Sequence, residues 1–205
     1  MGVCRGGVTL TRYKVSGDTP KDFWSFVDRR MRANLFLPID EGTEEQAVGW
    51  CNIHDYLDTN FAYASYSLDP YLALGMRLDR RRVPASLIKR QHRQEVQKAL
   101  ALREGRGLSR ADREDLKEKV RLDLLRRTVP QSQVLEVVWN TSTGELWVAT
   151  ASRVMLDLVE DLFRRTFDLQ LKPRIPFLLA SDLLPDVRVI LAGLRPASLY
   201  SGEVA

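Results

Sequence analysis

The chain holds two histidines, His54 and His92, and two cysteines, Cys4 and Cys51, so nucleophilic or general-base chemistry has few candidates. His54 falls among Cys51, Asp55 and Asp58, a spacing that superficially resembles a metal-ligand cluster. One thiol and one imidazole are too few for a closed structural zinc site, and a nuclease-type magnesium site needs carboxylates converging on one pocket. His92 lies four residues after Ile88 and four before Val96, on the less polar side of a basic helix, which reads as a structural or phosphate-adjacent imidazole. Neither Gly6-Gly7 nor Gly105-Arg106-Gly107 has the spacing of a Walker or dinucleotide phosphate loop. Trp24, Trp50, Trp139 and Trp147 could stack bases, but each sits in or beside an apolar run, so core packing is expected for most of them. The expectation is a protein that is not an enzyme and that carries no metal or cofactor.

The remaining chemistry is electrostatic. The net charge of the 205-residue chain is only +4, but Arg77 to Arg127 carries 17 basic residues against eight acidic ones, which makes that segment +9 and the rest of the chain −5. Phosphate binding needs cations concentrated on one surface, so this segregation predicts a footprint for a polyanion. It also fits a solvated, salt-bridge-laced helix pair.

The elements that would position these cations follow from periodicity. Residues 8–15 alternate apolar and polar as a half-buried strand does, and Asp18, Thr19 and Pro20 start a helix that reaches about Asn34. From Leu37 to Asp58 the pattern is lost, and a long loop is expected. Phe61–Ser67 and Tyr71–Leu78 read as two strands joined at Asp69-Pro70. Pro84 suits the first turn of a helix whose apolar side is Leu87, Ile88, Val96, Ala99 and Leu100 and which ends at Gly105 and Gly107. Ser109, with Asp112 three residues on, caps a second helix carrying Leu116, Val120 and Leu124. Its cations Arg110, Arg113, Lys117 and Arg121 are read as a stripe opposite that apolar face, and Lys89, Arg90 and Arg93 cluster within one turn of the first helix. Val134–Trp139 and Glu145–Thr150 form another hairpin, and Ser152 caps a last helix.

The order β-α-β-β, helical hairpin, β-β-α predicts an α+β fold: antiparallel β-hairpins with packed helices and a protruding basic helical hairpin. The expected organisation is a central α+β domain over 1–76 and 131–172, a basic helical arm or tip over 77–130, and a C-terminal extension over 173–205. The hydrophobic fraction of 44% and charged fraction of 28% are those of a globular protein, which argues against wholesale disorder. Two cysteines in this length fit a reduced cytosolic compartment, and no stretch has the roughly 18 uninterrupted apolar residues of a membrane span.

The segment RRVPASLIKRQHRQEVQKALALREGRGLSRADREDLKEKVRLDLLRR, followed by VVWNTSTGELWVATAS and a helix ending DLFRRTFDL, resembles the recombination-associated protein RdgC family. Val48-Gly49-Trp50 and the opening strand–helix unit also sit where that family has them, and the resemblance covers roughly residues 8–172. It implies a cytoplasmic, nucleoid-associated protein that binds duplex DNA with little sequence preference, restrains recombinase action and forms a ring-like homodimer with a basic inner surface. Arg127 matches the family's basic residue shortly after paired leucines, here Leu124 and Leu125, and Lys117 and Arg113 lie on the matching helix. Two features depart from the pattern. Thr128-Val129-Pro130 stands where the family can carry an aromatic residue, and residues 173–205 stand where it continues into a large C-terminal domain that helps close the ring. An open or differently assembled clamp is the corresponding expectation.

Residues and resemblance together give a non-sequence-specific DNA-binding protein that modulates recombination by coating or encircling duplex DNA. Its expected contacts are Lys89, Arg90, Arg93, Arg106, Arg110, Arg113, Lys117, Arg121, Arg126 and Arg127. Six to eight phosphate contacts would make log K fall with log salt at a slope of roughly −5 to −7. The competing readings are a protein-interaction module that docks an acidic partner, such as a recombination protein, on the same hairpin, and a metal-dependent nuclease acting through His54, Asp55 and Asp58.

Overall fold

The computed structural model of the protein describes residues 9–40, 42–102, 107–183, 188–193 and 195. The alternation at the N-terminus yields β1 (Thr11–Ser16), with Tyr13 buried and Arg12 and Lys14 on the opposite face. Helix α1 (Phe23–Ala33) starts later than the Asp18-Thr19-Pro20 signal, from Asp22, whose side chain makes no capping bond. It buries Val27 and Met31, one helical turn apart.

The expected long loop from Leu37 to Asp58 contains a strand, β2 (Gln46–Cys51). Its sequence QAVGWC ends in three buried residues and so lacks the alternation that marks a half-exposed strand. Phe61–Ser67 is not a strand. Phe61 and Ala64 adopt left-handed backbone around a 3-10 turn at Ala62–Ala64, and only β3 (Ser67–Leu68) pairs with the next strand. Two of the aromatic residues that suggested a strand, Phe61 and Tyr66, instead enter the core from the loop, both buried and in edge-to-face contact at 5.6 Å.

Strand β4 (Tyr71–Arg80) is antiparallel to β2, β3 and β5 (Gln131–Asn140). Strand β6 (Glu145–Val148) hairpins back on β5 and pairs with β1, which in turn pairs with β7 (Gln170–Pro173). The described sheet is therefore seven-stranded and antiparallel, in the order β2-β4-β5-β6-β1-β7 with β3 beside β4. Leu72, Leu74, Met76 and Leu78 face one side and form a continuous core with α1 and α4 (Arg153–Phe167). Alternation sends Ala73, Gly75, Arg77 and Asp79 to the other side.

Close approach explains Gly49. A Cβ there would lie 2.4 Å from the Phe36 Cα, because the chain at Leu35–Phe36 runs directly against β2 and bridges to Trp50. Trp50 is fully buried, and its Nε1–H donates to Thr166 Oγ1 of α4 at 2.8 Å, which ties β2 to the helical layer. The fold is α+β, as the element order predicts.

Two long helices separate β4 from β5: α2 (Ala85–Leu102) and α3 (Arg110–Arg127). They pack on each other more extensively than on any other element. The C-terminal segment adds β7 and two short helices, α5 (Pro176–Leu183) and α6 (Arg188–Gly193), which the sequence pattern left unassigned.

Candidate nucleic-acid interface

The α2–α3 hairpin is built by local signals that the sequence displays. Ser109 Oγ accepts from the Asp112 amide and the Asp112 carboxylate accepts from the Ser109 amide, each at 3.1 Å, which completes a capping box at the start of α3. Pro84 immediately precedes α2, and its carbonyl accepts from the Leu87 and Ile88 amides. Leu87, Ile88, Val96, Ala99 and Leu100 are half-buried along the inner side of α2, while Val120, Leu124 and Leu125 are buried along the second half of α3. The two helices are joined across their seam by His92. A carbonyl can only accept, so the His92 Nε2–H donates to the Arg113 carbonyl oxygen at 2.9 Å. His92 is thus a strut between helices.

The cations of the hairpin divide into free and neutralised groups. On α2, Lys89, Arg90 and Arg93 are exposed and form no ion pair among the described residues. The one acidic residue of α2, Glu95, is half-buried and pairs with Lys98 at 2.8 Å. The outward side of α2 therefore carries positive charge and no exposed carboxylate. On α3 the pattern differs. Arg110 and Arg113 are exposed without an ion pair among the described residues, but Lys117 pairs with Glu114 at 3.5 Å and Arg121 pairs with Glu118 at 2.8 Å. Arg121 also contacts Glu45, from the loop before β2.

The stripe expected opposite the apolar face of α3 lies beside it. At about 100° per residue, Arg110, Arg113, Lys117 and Arg121 centre roughly 60° from the direction of Leu116, Val120 and Leu124. The opposite side instead presents Glu114, Asp115 and Glu118 together with Lys119, all exposed. Steps of three and four residues connect neighbours on one stripe, and they do not by themselves place two stripes on opposite faces.

Arg126 and Arg127 are exposed in the last turn of α3, where cations also complement the helix dipole. Arg106 and the Gly105-Arg106-Gly107 turn lie outside the described residues, apart from Gly107. At the near end of the segment, Arg77 and Arg81 are held by the body of the protein. Arg77 bonds Asp79 through two nitrogens, at 2.7 and 2.8 Å, and its guanidinium sits 4.2 Å from the Phe36 ring centre. Arg81 is buried, and its guanidinium donates to the carbonyls of Gly42, Ile39 and Asp40. Two residues that the sequence pattern did not single out become relevant at this root: Glu45, from an aperiodic loop, and the exposed Arg82.

The cluster at Cys51, His54, Asp55 and Asp58 is committed to structure. Cys51 is buried with its thiol donating to the Gly75 carbonyl at 3.4 Å, and burial pushes its pKa up to about 12. Asp55 accepts from the Leu57 amide, and Asp58 accepts from the Asn60 amide and the Asn52 side chain, as residues that close turns do. Among the described residues no group of three or more His, Cys, Asp or Glu side chains is placed to hold a metal ion. Trp50 and Trp139 are in the core as expected; Trp24 is 41% exposed, and Trp147 is half-buried 6.1 Å from the Tyr71 ring.

No described helix is long and apolar enough to cross a membrane. No curated protein matches the chain. The model of the family described as "Putative exonuclease, RdgC" matches residues 9–176. That span runs from the opening strand through the helical hairpin and both later β-hairpin strands to the start of α5, and on it the chain belongs to the RdgC family.

Proposed function

We propose that this RdgC-family chain binds duplex DNA without sequence specificity through the outward side of α2, and modulates recombination by coating or encircling the duplex. The observation that carries the reading is the exposed cluster Lys89, Arg90 and Arg93, with no exposed carboxylate on its helix. Arg110, Arg113, Arg126 and Arg127 extend the positive surface, whereas Lys117 and Arg121 must first give up their carboxylate partners. Binding is driven by phosphate neutralisation and counterion release, and discrimination between sequences is weak because phosphate contacts carry no base information.

The test is anisotropy titration of a random duplex at several salt concentrations. Replacing Lys89, Arg90 and Arg93 by Gln is expected to weaken binding and to make the log K against log salt slope shallower by about three, close to one per lost phosphate contact. An unchanged slope would remove α2 from the interface. Saturable binding to an acidic protein, with only residual and length-independent DNA binding, would favour the interaction-module reading instead.

The proposal takes the protein as non-enzymatic, cytoplasmic and nucleoid-associated. The family description names an exonuclease, so linear DNA incubated with the protein and magnesium or manganese is the direct check: release of nucleotides overturns the non-enzymatic part. A homodimer is also proposed. Ile190, Leu183 and Val189, exposed at 63, 79 and 84% on α5 and α6, offer apolar surface for it, and a monomeric mass by light scattering would reject it.

A further inference from the structure

At the root of the hairpin lies a cleft of about 390 Å³, within the range of roughly 300–1,000 Å³ typical of small-molecule sites. Its lining combines the apolar residues Val83, Pro84, Ile88 and Leu125 with three arginines, Arg81, Arg82 and Arg121, and a single acidic residue, Glu45. We infer that this cleft is a phosphate-binding site in which the Glu45 carboxylate occupies the position of the anion.

Three features converge on the inference. The 18-residue helix α2 begins at the cleft wall, where Pro84 and Ile88 are lining residues, and its first turn has no acidic residue, so the positive end of its dipole lies beside the cavity with no carboxylate of its own. Arg81 is only 3% exposed, yet its Nε–H is buried with no acceptor among the described residues, while its terminal nitrogens donate to the Gly42, Ile39 and Asp40 carbonyls at 2.5, 2.6 and 2.7 Å. An orphaned buried donor on a residue that lines the cleft calls for an acceptor, and an oxyanion bound there is one that could supply it. Glu45 and Arg121 are the groups that can exchange: their side chains are 54% and 39% exposed, and Arg121 keeps Glu118 as a second partner when Glu45 leaves. The cleft carries a formal +2 with Glu45 in place, from three arginines and one carboxylate.

The ligand chemistry is a phosphate group, and its source is either a free phosphomonoester or a phosphodiester of a nucleic acid backbone. The full-length chain is titrated calorimetrically with inorganic phosphate and with 5′-dAMP at constant ionic strength, and then with random duplex in the presence and absence of phosphate. Both small anions are expected to bind. Glu45→Gln is expected to tighten them several-fold, since it removes the competing anion. The pair Arg82→Gln and Arg121→Gln, checked for native circular dichroism, is expected to weaken them about tenfold or more, the worth of a charge-assisted hydrogen bond.

Unchanged or weaker binding in the Glu45 variant, or full affinity in the double arginine variant, overturns the site. Phosphate that displaces duplex identifies the backbone as the source, and phosphate that binds alongside duplex identifies a free phosphomonoester. The site does not rest on the duplex reading: phosphate binding without any duplex binding would sink that reading and leave this one standing.

Discussion

Cys51 shows how residue type and surroundings decide chemistry. In the sequence it stands three residues before His54 and invites a reading as ligand or nucleophile; in the fold it is buried under Gly75 and pairs its thiol with a backbone carbonyl. Desolvation raises its pKa from the usual 9.0 to about 12. The consequence for stability has a definite sign. Well below pH 9 the thiol is protonated in both states and contributes no pH dependence. As pH rises through 9 the unfolded chain releases this proton and the folded chain retains it, so stability falls, by at most about 1.4 kcal/mol per pH unit. Cys51→Ala should therefore flatten the dependence of unfolding free energy on pH between about 8.5 and 10, whatever its absolute cost in packing. Parallel curves for the two proteins would mean that Cys51 ionises as easily folded as unfolded. Nothing in the sequence distinguishes this thiol from a reactive one, because burial by β4 is a tertiary fact.

At the scale of elements, the sequence was legible wherever a local rule sufficed. The α3 capping box depends on Ser109 and Asp112 alone, and the β5–β6 hairpin on two apolar runs around Asn140–Gly144. Reading failed where an element owes its existence to distant partners. Strand β2 is buried on both sides near its end, paired to β4 and pressed against Leu35–Phe36, so its run shows neither alternation nor length. The Phe61–Ser67 run failed in the opposite sense, since its Phe61 and Tyr66 reach the core from a turn. Gly49 gives the β2 account a direct test. A methyl group there meets the Phe36 Cα at 2.4 Å and nitrogen at 2.5 Å, and both are backbone atoms that no rotamer change can clear. Gly49→Ala is expected to destabilise the protein by about 1–3 kcal/mol, the usual cost of overpacking. A melt indistinguishable from wild type would show that the Leu35–Phe36 segment is not seated on β2 as described.

Charge segregation belongs to the whole molecule, and there the one-dimensional count overstated what is available to a ligand. Arg77 and Arg81 sit within the charged segment but serve the body, and much of α3 is neutralised by its own carboxylates. What remains is a hairpin with a cationic outward side on α2, whose second helix buries Val120, Leu124 and Leu125 and meets the loop before β2 through the Arg121–Glu45 contact. Such a unit should open separately from the sheet. No residue of α2 is buried, whereas β4 and β5 contribute Leu72, Leu74, Met76, Val137 and Trp139 to the central core. Local opening free energies follow buried contact, so native-state hydrogen exchange is expected to be faster at α2 amides than at those of the second half of α3, and slowest in β4 and β5. Saturating duplex should raise α2 protection above its free value while leaving β4 and β5 nearly unchanged, because a ligand that binds only the closed hairpin stabilises it by mass action. Equal protection across hairpin and sheet would make the arm part of one cooperative unit, and protection gained only in the sheet would place the duplex elsewhere on the molecule.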